Sequence, residues 1–123
     1  MKTQLWIAIE LIKRTETLHS KNFIHRDIKP ENFLVGHGKK ANTVYMIDYG
    51  LAKRYKCPKT DTHIEHKEKD DVIGTARYAS LNAHECLEQG RRDDLEAVGF
   101  VLIFLAKEGY LPWMDAEDST LQQ

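Results

Sequence analysis

The stretch from Asp93 to Trp113, "DDLEAVGFVLIFLAKEGYLPW", limits the possible folds most. Leu95, Val98, Phe100, Val101, Leu102, Ile103, Phe104 and Leu105 leave no polar side to a helix that starts with Asp93 or Asp94 as its N-cap. A helix that is apolar all round belongs in the centre of a protein. Its apolar run is far shorter than the roughly 20 residues of a bilayer span, so it predicts a core and not a membrane anchor. The rest of the chain must therefore wrap it. A chain of 123 residues makes at most one small domain, which buries roughly two thirds of its unfolded surface if it closes one core.

Around that run the sequence divides into four further segments, with no internal repeat and no low-complexity tract. Gln4 to Ser20 spaces Leu5, Ile9, Ile12 and Glu16 three or four apart, sets Ala8, Leu11 and Leu18 on an adjoining stripe, and holds no Gly or Pro. That pattern predicts an amphipathic helix. "FLVG" and "TVYMID", either side of the turn-rich "HGKKAN", predict the two strands of a short hairpin. "HRDIKPEN" connects helix to hairpin, and Lys53 to Asp71 shows no apolar period and reads as a long loop, functional or disordered. The expected fold class is mainly α with one short β-hairpin. Charge is nearly balanced, 18 basic residues against 19 acidic, which points to neither a nucleic acid nor a membrane as partner. Two cysteines, Cys57 and Cys86, and no cleavable apolar leader predict free thiols in a reduced intracellular setting, the cytoplasm or the nucleus.

The chemistry gathers in the connection. Asp27 and Asn32 stand five apart on a loop with Lys29 between them, and Asp48 follows in "IDYG" where the second strand ends at a Gly. Phosphoryl transfer needs a carboxylate to accept a hydroxyl proton, a cation to offset phosphate charge and oxygen ligands for magnesium. The order H-R-D-x-x-x-x-N, strand hairpin, D-[F/Y]-G is the signature set of protein kinases. Single pieces have plainer readings. A lone His-Arg-Asp triplet is usually a surface ion cluster, Asp48 alone could cap a turn, and Arg77 could be an ordinary ion pair. His63 and His66 with His84 and Cys86 could be dressed up as a zinc site, although the two pairs lie far apart in the chain.

With "GTARYASLN" (Gly74 to Asn82), "RRDDLEAVGF" and "LPW" added, the sequence resembles the casein kinase I family of serine/threonine protein kinases over nearly its whole length. The resemblance implies a partial protein kinase domain over residues 1–123, the C-lobe portion, with the N-lobe, hinge and terminal helices absent. It implies ATP and Mg2+ as cofactors. Asp27 would take the substrate hydroxyl's proton, Lys29 would contact the γ-phosphate, and Asn32 and Asp48 would hold magnesium. Leu34 and Ile47 would line the floor beneath the adenine. His25 would be structural, Arg26 would bridge to the activation segment, and Asp94 would brace the catalytic loop. Arg77, with Ser80 nearby, would face an anionic or phosphorylated protein substrate.

Three departures stand out. Tyr49 replaces the phenylalanine of the magnesium tripeptide, and its hydroxyl needs a partner. Asp70-Asp71 and Met114-Asp115 stand where the family pattern has lysines, which weighs against phosphate-primed substrates. No glycine-rich loop, early-strand lysine or hinge precedes the first helix. The chain is therefore expected to be inactive or nearly so by itself, with some faces of the Leu95–Leu105 helix left wet. The alternative function is a non-catalytic kinase-like module that binds protein partners or substrate.

Overall fold

The computed structural model describes residues 1–116. Helix α1 runs Lys2–Ser20, strand β1 Phe23–Ile24, β2 Phe33–Val35, β3 Val44–Met46, β4 Lys53–Arg54, the short helix α2 Leu81–His84, and α3 Arg91–Ala106. The chain is mainly α with two small antiparallel sheets, β2–β3 and β1–β4. The core joins Leu11 of α1, Ile28, Val44 and Met46 of β3, Tyr78, Ala97, Val98 and Val101 of α3, and Leu111. Each Val, Leu, Ile or Met among them, fully buried, contributes about 1.5–3 kcal/mol.

Helix α3 begins three or four residues earlier than the sequence suggests. Gly90 is the N-cap, and Asp93 sits three positions in, where its Oδ2 accepts the Gly90 N–H at 2.8 Å. Neither Asp93 nor Asp94 is the cap, and both are buried. A side chain three residues into a helix can reach back to an orphan donor as readily as a cap can reach forward. Central burial of α3 holds on one side only: Ala97, Val98 and Val101 are enclosed, while Leu95 and Ile103 are 48% and 44% exposed.

Helix α1 packs against α3, but not with the stripe that leads its sequence pattern. Leu5, Ile9 and Ile12 are exposed, and Leu11 and Thr15 are buried, with Trp6, Ile7 and Leu18 against the core. The buried Thr15 hydroxyl donates to the Leu11 carbonyl at 2.9 Å, a back-bond that lets a hydroxyl face α3 without an unpaired group.

The predicted hairpin forms, with Phe33 opposite Met46, Leu34 opposite Tyr45 and Val35 opposite Val44. Its ladder continues past the strands, the Ile47 N–H donating to the Asn32 carbonyl at 2.9 Å and the Gly36 N–H to Thr43 at 2.9 Å. The second sheet was not legible. β4 opens the supposedly patternless Lys53–Asp71 stretch and pairs with β1, Phe23 opposite Arg54 and Ile24 opposite Lys53. Tyr55 follows, buried, its hydroxyl donating to the His19 carbonyl at 2.6 Å. Backbone bridges at Lys56–His63 and Glu68–Leu87 order the rest of this loop through main-chain bonds, which leave no side-chain period to read. Among the described residues no helix is long and apolar enough to cross a membrane.

Candidate active site

The His25–Asn32 loop hangs from α3 by one carboxylate. Asp94 Oδ2 accepts the His25 N–H at 2.8 Å and Oδ1 accepts the Arg26 N–H at 3.0 Å, while His19 Nε2, at the end of α1, lies 2.8 Å from Oδ2. These bonds hold Arg26 at φ +67°, a left-handed conformation that a non-glycine residue adopts at a cost of about 1–3 kcal/mol. The Arg26 side chain is tied to the segment after Asp48, its Nε donating to the Leu51 carbonyl at 2.7 Å. Burial lowers the Arg26 pKa, and the charges of Glu88 and Asp94 offset part of that shift.

His25 is wholly enclosed. Nε2 lies 3.0 Å from the Ile47 carbonyl and Nδ1 accepts the Asp27 N–H at 3.2 Å, an arrangement that puts the ring proton on Nε2. The imidazole thus ties the loop to the end of β3. It does not enter the reacting space.

Asp27 is the centre of the cluster. Its Oδ1 accepts both the Thr75 N–H at 3.1 Å and the Thr75 hydroxyl at 2.7 Å. Lys29 Nζ donates to the same hydroxyl at 3.0 Å and stands 3.4 Å from Asp27 Oδ2. Asn32 Nδ2 donates to the Asp27 carbonyl at 2.8 Å, so the amide carbonyl oxygen of Asn32 faces the other way. The first turn after Lys29 is a short 3₁₀ segment, Pro30–Asn32; the proline fixes φ where no amide donor is needed.

Asp48 follows Ile47, whose N–H is bonded to the Asn32 carbonyl. It is exposed, lies at φ +58°, and accepts the Gly50 N–H on Oδ1 at 3.2 Å. The Tyr49 hydroxyl, the departure noted in the sequence, has its partner in the Met46 carbonyl at 3.0 Å. Leu34 is exposed on β2 opposite Tyr45, and Ile47 is half-buried one residue beyond β3.

Two residues expected on the substrate side separate here. Arg77 is half-buried on the Ala76–Tyr78 turn, and its carbonyl accepts the Trp113 indole N–H at 2.7 Å; with Leu81, Phe100 and Trp113 it lines one cleft. Ser80 is corrected. It is 1% exposed, its hydroxyl donates to Asp93 Oδ1 at 2.7 Å and accepts the Ala83 N–H at 3.1 Å as the cap of α2. A buried hydroxyl whose one proton is given to Asp93 does not face a substrate. The zinc alternative has no geometry either: among the described residues no three His, Cys, Asp or Glu side chains are grouped to hold a metal.

Thr75, Gly74 and His19 belong to the arrangement and were missed as site residues. "GT" in "GTARYA" was the available signal for the first two. Gly74 lies at φ +102°, and a Cβ there would sit 2.4 Å from the Arg26 carbonyl oxygen, so only glycine lets Thr75 approach Asp27. The Protein kinase domain family model matches residues 3–123; the chain belongs to that family, whose members use ATP and a divalent metal to phosphorylate proteins.

Proposed function

We propose that the chain carries the catalytic and acceptor-side parts of a serine/threonine kinase of casein kinase I type, transferring the ATP γ-phosphate to Ser or Thr hydroxyls of acidic protein substrates inside the cell. The observation that carries the reading is the convergence of Lys29 and Thr75 on the Asp27 carboxylate, with Asn32 tied to the Asp27 carbonyl. Oδ1 of Asp27 is engaged by Thr75, so Oδ2 is the oxygen assigned to take the hydroxyl proton of the acceptor. The Lys29 ammonium, 3.4 Å from that oxygen, is placed to meet the negative charge of the transferred group.

Asn32 and Asp48 fit magnesium by donor chemistry. Both offer oxygen, the ligand type this hard cation takes, and the Asn32 amide nitrogen is already committed. Bound metal would offset the charge on the ATP phosphates. Leu34 and Ile47 supply apolar surface for the adenine in this reading, and Arg77 a guanidinium for anionic substrate groups. Asp70, Asp71 and Asp115 argue against phosphate-primed substrates by charge.

A second reading, a kinase-like module that binds partners without turnover, draws on the cleft lined by Arg77, Leu81, Phe100 and Trp113, an apolar surface with a guanidinium that needs no nucleotide to be used. Transfer of labelled phosphate from magnesium-ATP to an acidic protein separates the two. The enzymatic reading expects a signal that Asp27→Asn reduces at least a hundredfold. Equal signals from the two proteins would remove it and leave the binding module.

A further inference from the structure

Outside the cluster at Asp27, one buried ion has no part in the reading above. Glu88 is 4% exposed in the turn before α3. Its Oε1 lies 2.9 Å from Lys53 Nζ, just past the D-Y-G tripeptide, and its Oε2 lies 3.3 Å from Lys69 Nζ, in the segment leading to Thr75. The second contact is an ion pair that falls short of a directed hydrogen bond. Arg26 shares a small cavity with Glu88 and Lys69 and feels the Glu88 charge. Two ammoniums from distant parts of the chain therefore pair with one carboxylate, and a guanidinium lines the cavity beside them. Asp71 lines the same cavity and is exposed.

The main chain reinforces this point. The Glu88 N–H donates to the Lys67 carbonyl at 2.7 Å and the Lys69 N–H to the Cys86 carbonyl at 2.6 Å. The neighbouring Gln89, also buried, donates from Nε2 to the Ile73 carbonyl at 3.0 Å. Two residues beyond Ile73 stands Thr75, bonded twice to Asp27.

We propose that Glu88 is a positioning residue for phosphoryl transfer: its carboxylate clamps Lys69 to Lys53, and so holds the Lys67–Thr75 segment where Thr75 engages Asp27. Charge pairing between an added phosphate and arginine is a known way to order such segments; here an internal carboxylate stands among the cations. Removing a buried carboxylate from between two half-buried ammoniums leaves their positive charges facing each other without a counter-ion. The inference rests on the kinase reading for its consequence and on the geometry alone for the clamp.

Two variants test it on the whole chain, Glu88→Gln, which keeps shape and drops charge, and Glu88→Asp, which keeps charge. Amide hydrogen exchange reports the clamp without any need for turnover. Glu88→Gln is expected to speed exchange at Lys69 and Thr75 at least tenfold and leave Val98 and Val101 of α3 within twofold, with Glu88→Asp recovering much of the protection. Unchanged exchange at Thr75, or an equal rise in α3, would overturn the clamp. In the transfer assay Glu88→Gln is expected to lower kcat at least tenfold with KM for ATP within twofold, and a matched rise in KM with kcat unchanged would overturn the positioning role. Absence of transfer by the unaltered chain would instead defeat turnover by this chain, and exchange would still decide the clamp.

Discussion

The loop below Asp27 and the outer face of α1 break the usual division of polar outside and apolar inside in opposite ways. Asp94 is 2% exposed, whereas Leu5, Ile9 and Ile12 are 60%, 52% and 47% exposed. The difference lies in what each kind of contact can specify. Asp94 accepts two backbone N–H groups and pairs with His19, and those directed bonds leave the loop one orientation. Apolar contact is non-directional and sets proximity only. A site that must place a carboxylate, an ammonium and an amide within hydrogen-bond reach of one another needs the first kind of constraint, and the chain puts its buried charges there.

The sharpest way to break that contrast is Asp94→Ala. It leaves the His25 and Arg26 amides without acceptors in a buried setting, and removing one member of such a network costs about 3–5 kcal/mol. The expectation is a fall of that size in the unfolding free energy from urea titration. A loss below about 1 kcal/mol would show that the loop is held by packing instead. Gly74→Ala comes next. Its Cβ would meet the Arg26 carbonyl at 2.4 Å, at φ +102°, and the combined strain and displacement are expected to cost about 1–3 kcal/mol. Because the clash is local, exchange at Thr75 should rise more than exchange at Val101. The reverse order would mean that Gly74 only serves folding.

Acid is a milder probe of the same buried charge. Burial raises the Glu88 pKa, but the hydrogen bond from Lys53, the close Lys69 ammonium and the charges of both outweigh it and hold the carboxyl below its ordinary value of 4.5. A depressed folded pKa means stability that is complete above the unfolded value and lost as pH falls through the folded one. The stability difference between the unaltered chain and Glu88→Gln is therefore expected to be constant above about pH 5 and to shrink in more acid solution. A difference independent of pH down to about pH 3 would contradict the ion clamp.

The grouping of Asp27, Lys29 and Asn32 was readable because all three fall within one loop, and Asp48 lies one hairpin away. Asp94 was readable only through resemblance. Its partners His19 and His25 stand 75 and 69 positions away, and no local pattern encodes such an approach. Glu88 was invisible for the same reason, sitting between "HECL" and "QGRR" with Lys53 35 positions back. Ser80 was misread because it adjoins Arg77 in sequence, yet its side chain turns inward to cap α2. The loop after Lys53 hid a strand, since a two-residue strand has no period. On α1 two apolar stripes lie side by side, and periodicity alone cannot say which one faces α3.

That ambiguity supplies the smallest expected effect and the other half of the contrast. Ile9→Gln and Leu5→Gln place amides where hydrocarbon already meets water, and glutamine is at least as good a helix former as isoleucine. Each is expected to change the unfolding free energy by no more than about 0.5 kcal/mol. Light scattering at high concentration is expected to show less self-association in the double variant, because an exposed apolar stripe favours contact between copies. If either change instead cost as much as Asp94→Ala, the stripe would be covered in solution by something other than water, and α1 would have two working faces where the structure gives it one.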